Sequence, residues 1–396
     1  MRIGFLSAVT LISLSAQPRT VSQAEVDRVH RSAILIDSHN DVTSETVKGL
    51  DIGPLRQKGH TDLVRLRQGG VGAVFFAAYV SKTYEEGNHS ANRALEMIDT
   101  IRYDIVARHP NDFELALTAD GIVAAHKKGK IAALIGIEGG HAIEDSLRLL
   151  RDFYALGTRY MTLTHSNSNH WADSSGDANK PNNGLSKLGR EVVLEMNRLA
   201  MMVDISHVSD KTFFDVLAVS TAPVFASHSS CRSLAAIPRN MTDEMITALG
   251  KKNGLVQINF GCEFLSQKSA DTSRWANPKI QAELKQRANA GAGDDKARAE
   301  LRKKLDSESD ARITRATLQD VVAHIDHVVK LAGIDAVGIG TDYDGVECVP
   351  AGLEDVSKFP ALTRALLEKG YSASDVHKIY GGNLLRLMRA VEKAAR

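Results

Sequence analysis

Eight short apolar, β-prone runs recur along the chain, at residues 33–37, 73–79, 132–138, 160–165, 202–207, 224–228, 255–260 and 336–341. Between several of them lie longer stretches with apolar residues at spacings of three and four, as in 92–109 and 189–201. That spacing is the signature of helices with one buried face. Strands that alternate with helices favour a parallel sheet, and eight such units predict an α/β fold of the (β/α)8 barrel type. An open doubly wound sheet is the alternative, but no Gly-x-Gly-x-x-Gly follows the first run. A length of 396 residues suits an elaborated barrel of this kind.

In such barrels chemistry sits at the C-terminal strand ends. Six of the eight runs finish on His, Asp or Glu: His39 and Asp41, Glu138, His165, His207, His228 and Asp342. Charge scattered for solubility would show no preference for one end. Side-chain alternation adds to the case, since residues two apart on a strand share a face. It groups His39 with Asp41, His207 with Val203 and Ile205, and His228 with Val224 and Ala226. On this reading apolar residues fill the barrel interior and a histidine stands above them. Singly, each residue has an ordinary explanation, such as a core histidine or a capping acid. Together they occupy the same structural place on different strands.

Neutral imidazole and carboxylate oxygens suit a pair of divalent cations. Two adjacent dications repel and need a shared anion, and Glu138 is placed for that. His39 and Asp41 would complete one site, and His207 and His228 the other. Asp342 would stand beside the attacking water as a proton carrier. His141 is either a supporting residue or a surface one, while His60, His89 and His170 read as solvated loop residues.

The net charge of +1 makes no case for nucleic acid or an anionic membrane surface. Residues 1–16 combine Arg2 with an apolar run and small residues, and read as a signal peptide too short to span a bilayer. Export to a periplasmic or extracellular space follows, with a cytoplasmic location the alternative if the segment is not a signal peptide, and the barrel is expected over 17–396. The C-terminal residues 391–396 read as a polar helix end without a lipid-anchor tail. Residues 267–315 break the rhythm with Lys, Arg, Glu, Asp and Ala, interrupted by Ala-Asn-Ala-Gly-Ala-Gly at 288–293. They read as solvated helices inserted after the seventh strand, with a lid or a dimer contact as the alternative.

These residues resemble the membrane (renal) dipeptidase family of the amidohydrolase superfamily. His39-Asn40-Asp41 is similar to the first-strand motif and Gly136-Ile137-Glu138-Gly139-Gly140 to the bridging-glutamate motif. Leu163-Thr164-His165-Ser166, with Trp171-Ala172-Asp173, resembles the fourth-strand loop. Asp204-Ile205-Ser206-His207 and Ser227-His228-Ser229-Ser230 resemble the two histidine motifs. Residues 338–345 resemble the eighth-strand signature, and Gly381-Gly382-Asn383 the C-terminal helix motif.

The resemblance implies a zinc-dependent dipeptidase with two Zn2+ per chain, bridged by Glu138 and a hydroxide. It implies substrates of the L-Xaa-L-Xaa or L-Xaa-D-Xaa type, and a homodimer. It puts His165 beside the substrate carbonyl and Arg239 on the substrate carboxylate. Other binuclear amidohydrolases, acting on N-acyl amino acids, lactones or β-lactam amides, share these ligands. A non-catalytic metal- or peptide-binding barrel is the reading from a different class, and Asp342 argues against it. The chain departs from the family where Val42-Thr43-Ser44 replaces the usual Leu-Pro-Trp, and in the insertion. Its three cysteines, Cys231, Cys262 and Cys348, follow strand ends. A Cys262–Cys348 bridge would join neighbouring strands, but the odd count without a disulfide framework favours free thiols.

Overall fold

A computed structural model describes residues 19–291 and 294–395. The signal-peptide reading of residues 1–16 lies outside them. Nine parallel strands occur among the described residues: β1 (Leu35–Asn40), β2 (Val71–Tyr79), β3 (Phe113–Leu115), β4 (Ile131–Glu138), β5 (Thr158–Thr162), β6 (Met202–Asp204), β7 (Phe225–Ser229), β8 (Leu255–Ile258) and β9 (Val337–Ile339). Eight of them run in the order β1-β2-β4-β5-β6-β7-β8-β9, as expected for a (β/α)8 barrel. The ninth, β3, was not anticipated. It pairs with Ile131, Ala132 and Ala133 at the start of β4, while β5 pairs with β4 only from Ile135 onward.

The barrel closes between β1 and the chain beyond β9. The Asp342 amide donates to the His39 carbonyl (3.0 Å), and the Asp41 amide to the Tyr343 carbonyl (2.9 Å). Below these, the Asp37 carboxylate accepts from the Thr341 amide (2.8 Å) and hydroxyl (2.6 Å), taking the place of a backbone rung. The seam therefore joins two of the segments that carry chemistry-bearing residues, and fixes His39, Asp41 and Asp342 relative to one another.

The barrel interior is packed. Tyr160 on β5 meets Phe75 on β2 (5.2 Å between ring centroids) and Phe225 on β7 (5.4 Å). None of these strands are neighbours, so all three rings point inward. Gly136 makes room for the phenol, since a Cβ there would lie 2.0 Å from the Tyr160 ring. Leu384, Leu387, Met388 and Val391 of the C-terminal helix Asn383–Ala394 join the same apolar cluster. A larger cluster packs the outer face of the sheet against the surrounding helices.

The inward direction of Phe225 corrects the alternation argument. Phe225 and Met202 are interior, whereas Val203, Ile205, Val224 and Ala226 belong to the outer cluster. His207 and His228 would face outward if their strands continued regularly. They do not. β6 ends at Asp204, and His207 adopts a left-handed backbone (φ 67°). β7 shifts register between Ala226 and Ser229, and β1 between Asp37 and Asn40. The expected strands overran at 160–165, 202–207 and 336–341 for the same reason: their ends leave the ladder where the functional side chains are aimed.

The segment after β8 contains the helices Gln267–Thr272, Pro278–Asn289 and Asp295–Asp310. The last two share a small apolar seam of Leu284, Ala288 and Leu305. Arg274, Trp275, Pro278 and Gln281 line the cavity at the barrel mouth, so this segment is not merely a solvated excursion. The cysteine expectation is also corrected. Cys262 and Cys348 form a disulfide, and Cys231 is free and buried. Among the described residues no helix is long and apolar enough to cross a membrane. Denatured, unreduced protein should titrate one thiol per chain, rising to three after reduction. Three thiols before reduction would contradict the bridge.

Candidate active site

A cavity of about 540 Å3 opens at the C-terminal end of the barrel and is lined by Asp41, Glu138, His165, His207, Arg239 and Asp342, among others. His39 and His228 lie at its floor with their rings stacked, 3.7 Å between centroids. The structure thus brings together every residue singled out for chemistry from the sequence.

Glu138, the last residue of β4, is at the centre. Its Oε2 lies 3.7 Å from His39 Nε2, which is itself 3.2 Å from Asp41 Oδ2. Its Oε1 lies 3.0 Å from His207 Nε2 and 3.2 Å from His228 Nε2. His165 Nε2 is 3.8 Å from the same oxygen. One carboxylate therefore faces two separate donor pairs, one on each oxygen.

Several donor atoms converge without partners of their own. His39 Nε2 and Asp41 Oδ2 are buried and make no hydrogen bond. The two Nε2 atoms of His207 and His228 face each other at 3.0 Å. A Cβ at Gly345 would lie 2.4 Å from Asp342 Oδ1 and 2.5 Å from Asp41 Oδ2, so only glycine leaves both carboxylates in place. Groups of His39, Asp41 and Glu138, of Glu138, His165 and His207, and of His39, His228 and Asp342 each offer ligand atoms within 4.8 Å of one another. This donor set, imidazole nitrogen and carboxylate oxygen, fits divalent transition-metal ions.

The electrostatics show the same need for positive charge. Burial opposes ionisation of Glu138, yet the surrounding histidines hold its carboxyl well below the usual range. His39 lies well above an ordinary histidine; burial opposes its charge, but Tyr160, Asp41 and Glu138 outweigh that effect. His207 and His228 are driven well below, by burial first and then by neighbouring cationic groups including Arg239. Burial, with Asp41 and Glu138 nearby, pushes Asp342 well above an ordinary carboxyl. Three buried carboxyl groups at one point are mutually unfavourable unless a cation joins them.

A second tier of residues orients these groups, and the sequence reading assigned it no role. The His39 Nδ1 is held by the Tyr160 hydroxyl at 2.7 Å, which leaves Nε2 for the centre. The His228 Nδ1 meets the Ser227 hydroxyl at 2.7 Å, and that hydroxyl donates to Asp204 (2.6 Å). Asn259 donates to Asp342 Oδ2 at 2.7 Å. Strand parity carried a signal for this tier: Tyr160, Thr162 and Asp204 are interior positions on neighbouring strands, and polar residues there require partners.

Arg239 reaches the same cavity. One guanidinium nitrogen donates to the His228 carbonyl (2.8 Å), and Nε and Nη1 are buried without partners. His165 packs against Tyr79 and His207, with centroids 4.8 and 4.5 Å away. His141 is buried and 3.9 Å from Glu85, so it is not a surface residue. His60 is half-buried and accepts from the Asp344 amide (3.0 Å), whereas His89 and His170 are exposed as expected.

Residues 23–396 match the family model of membrane dipeptidases, peptidase family M19. The chain belongs to the membrane dipeptidase family. The dipeptidase verJ of Clonostachys rogersoniana is 36% identical over 377 residues, covering 91% of this chain and 85% of that protein. The structure of PvdM from Pseudomonas aeruginosa, described as a probable dipeptidase, superposes with a TM-score of 0.82 at 24% identity, over 94% of this chain and 99% of that one. A metallopeptidase from Rhodobacter sphaeroides, solved with a phosphinate mimic of the dipeptide L-Ala-D-Ala, gives a TM-score of 0.73 at 26% identity. It covers 91% of this chain and 100% of that one. The cluster around Glu138 is thus a candidate metal centre of an M19 dipeptidase.

Outer partners of metal-ligating histidines commonly matter 10–100-fold for affinity. Tyr160→Phe keeps the packing with Phe75 and Phe225 and removes the bond to His39. It should weaken metal retention by roughly 10–100-fold in a chelator competition, with little change in circular dichroism.

Proposed function

We propose that this chain is an exported dipeptidase that uses two Zn2+ ions to hydrolyse L,L dipeptides and L,D dipeptides. The observation that carries the reading is the carboxylate of Glu138, with one oxygen toward His39 and Asp41 and the other toward His207 and His228. In this reading the first pair and Glu138 would hold one ion, and Glu138 with the second pair would hold the other. When bound, the ions supply Lewis acidity and a water made nucleophilic near neutral pH.

The chain's own residues do the rest. Asp342, restrained by Asn259, accepts a proton from the attacking water and returns it to the leaving amine. His165 stands over Glu138 and donates to the oxygen that gains charge as the peptide carbon becomes tetrahedral. Arg239, with Nε and Nη1 unpartnered, offers a charge-assisted hydrogen bond to the carboxylate of the C-terminal residue. The Rhodobacter relative, solved with a dipeptide mimic, supports a substrate of that size. The Cys262–Cys348 bridge supports export, because disulfides persist in oxidising compartments.

Amino-acid release from L,L and L,D dipeptides, with N-acetylated controls, tests this reading on native, chelated and zinc-restored protein. Cleavage should vanish with chelation, return with zinc and spare the acetylated controls. Cleavage of those controls would instead indicate a broader amidohydrolase. Asp342→Asn should retain its metals by elemental analysis and lose about 10²–10⁴-fold in kcat, the usual scale of general acid–base catalysis. Undiminished turnover in that variant would remove Asp342 from the mechanism.

A further inference from the structure

The cavity rim carries two glutamates that the dipeptidase mechanism does not use. Glu263 is only 4% exposed, yet its Oε2 has no hydrogen-bond partner and the residue lines the cavity. Burial, with Asp310 and Glu347 nearby, pushes its carboxyl up to about 7. Glu347 lines the same cavity from the loop after β9 and is exposed. The disulfide sets their proximity. Glu263 directly follows Cys262 and Glu347 directly precedes Cys348, and the Cys262 amide also donates to the Cys348 carbonyl (2.9 Å).

The nearby cations are already engaged. Arg274 forms a two-point pair with Asp310 (2.8 and 2.9 Å) and lies 3.7 Å from Asp306. Asp306 also pairs with Arg302 at 2.7 Å. Two guanidiniums thus serve two aspartates. No ion pair to Glu263 or Glu347 occurs among the described residues. A buried carboxylate oxygen in the wall of the cavity, with no partner from the protein, is costly unless a ligand supplies the missing positive donor.

We propose that Glu263 and Glu347 form a subsite for a cationic side chain, of the Lys or Arg type, on the C-terminal residue of the dipeptide. The placement rests on the reading of Arg239 given above. Phe264, next to Glu263, lies 5.5 Å beneath the Arg239 guanidinium. A residue whose carboxylate is held by Arg239 therefore has its side chain beside this rim. Exposed Trp275 lines the same cavity and offers apolar surface to the methylenes of such a chain.

The test compares kcat/KM for Ala-Lys, Ala-Met, Lys-Ala and Ala-Ala in the zinc-loaded wild type, Glu263→Gln and Glu347→Gln. Wild type should favour Ala-Lys over Ala-Met by about tenfold or more, the scale of one charge-assisted hydrogen bond. Glu263→Gln should bring the Ala-Lys to Ala-Met ratio near unity, and exposed Glu347→Gln should lower it in part. Equal rates in wild type, or a ratio that survives in both variants, would overturn the subsite. A lysine preference confined to Lys-Ala would overturn its placement at the C-terminal residue. Wild type that cleaves Ala-Ala but ignores lysine refutes only this inference. Wild type that cleaves no dipeptide refutes the dipeptidase reading, and the subsite with it.

Discussion

A single buried carboxylate organises the mouth of this barrel. Glu138 turns one oxygen to His39 and Asp41 and the other to His207 and His228, and none of these groups can move without disturbing the rest. Removing a carboxylate from water costs several kcal/mol in general, a cost that close positive charge must offset. The geometry serves that need from two sides at once. It also accounts for the open valences of His39 Nε2 and Asp41 Oδ2. Satisfied hydrogen bonds would leave nothing with which to bind an ion.

Holding so many polar groups at one point requires an orienting layer, and the barrel interior supplies it. Tyr160 reaches His39 through space that Gly136 leaves open, and Asp204 reaches His228 through Ser227. Each link fixes which imidazole nitrogen faces the centre. The closing seam does the same for the carboxylates, since the amides of Asp41 and Asp342 are themselves rungs between β1 and the chain beyond β9. Closure of the barrel and assembly of the site are the same event. The left-handed backbones of His207 (φ 67°) and Asp342 (φ 61°) belong to this arrangement, because regular strands would have carried those side chains elsewhere.

Above the centre the mouth is built from later parts of the chain. The inserted segment brings Arg274, Trp275 and Gln281 over the cavity, and the disulfide ties the loop after β8 to the loop after β9. The centre is thus held by the barrel itself, while the rim is held by a cross-link and an insertion.

The sequence by itself determined the barrel and the inventory of its mouth. Alternating strands and helices leave few ways to bury their apolar faces, and His, Asp and Glu at strand ends can meet only at one end of such a barrel. It did not determine how His207 and His228 turn inward. Strand alternation assigned Val203, Ile205, Val224 and Ala226 to the interior, and the structure places them outside. The reversal comes from breaks in β1 and β7 and from the early end of β6, which depend on neighbouring strands and have no local signature. Tyr160, Asp204, Ser227 and Asn259 were likewise visible as residues but not as partners, because each contact joins distant segments. The tertiary structure alone decided these, along with the Cys262–Cys348 bridge and the position of the insertion. All of them are settled by which surfaces meet when the barrel closes.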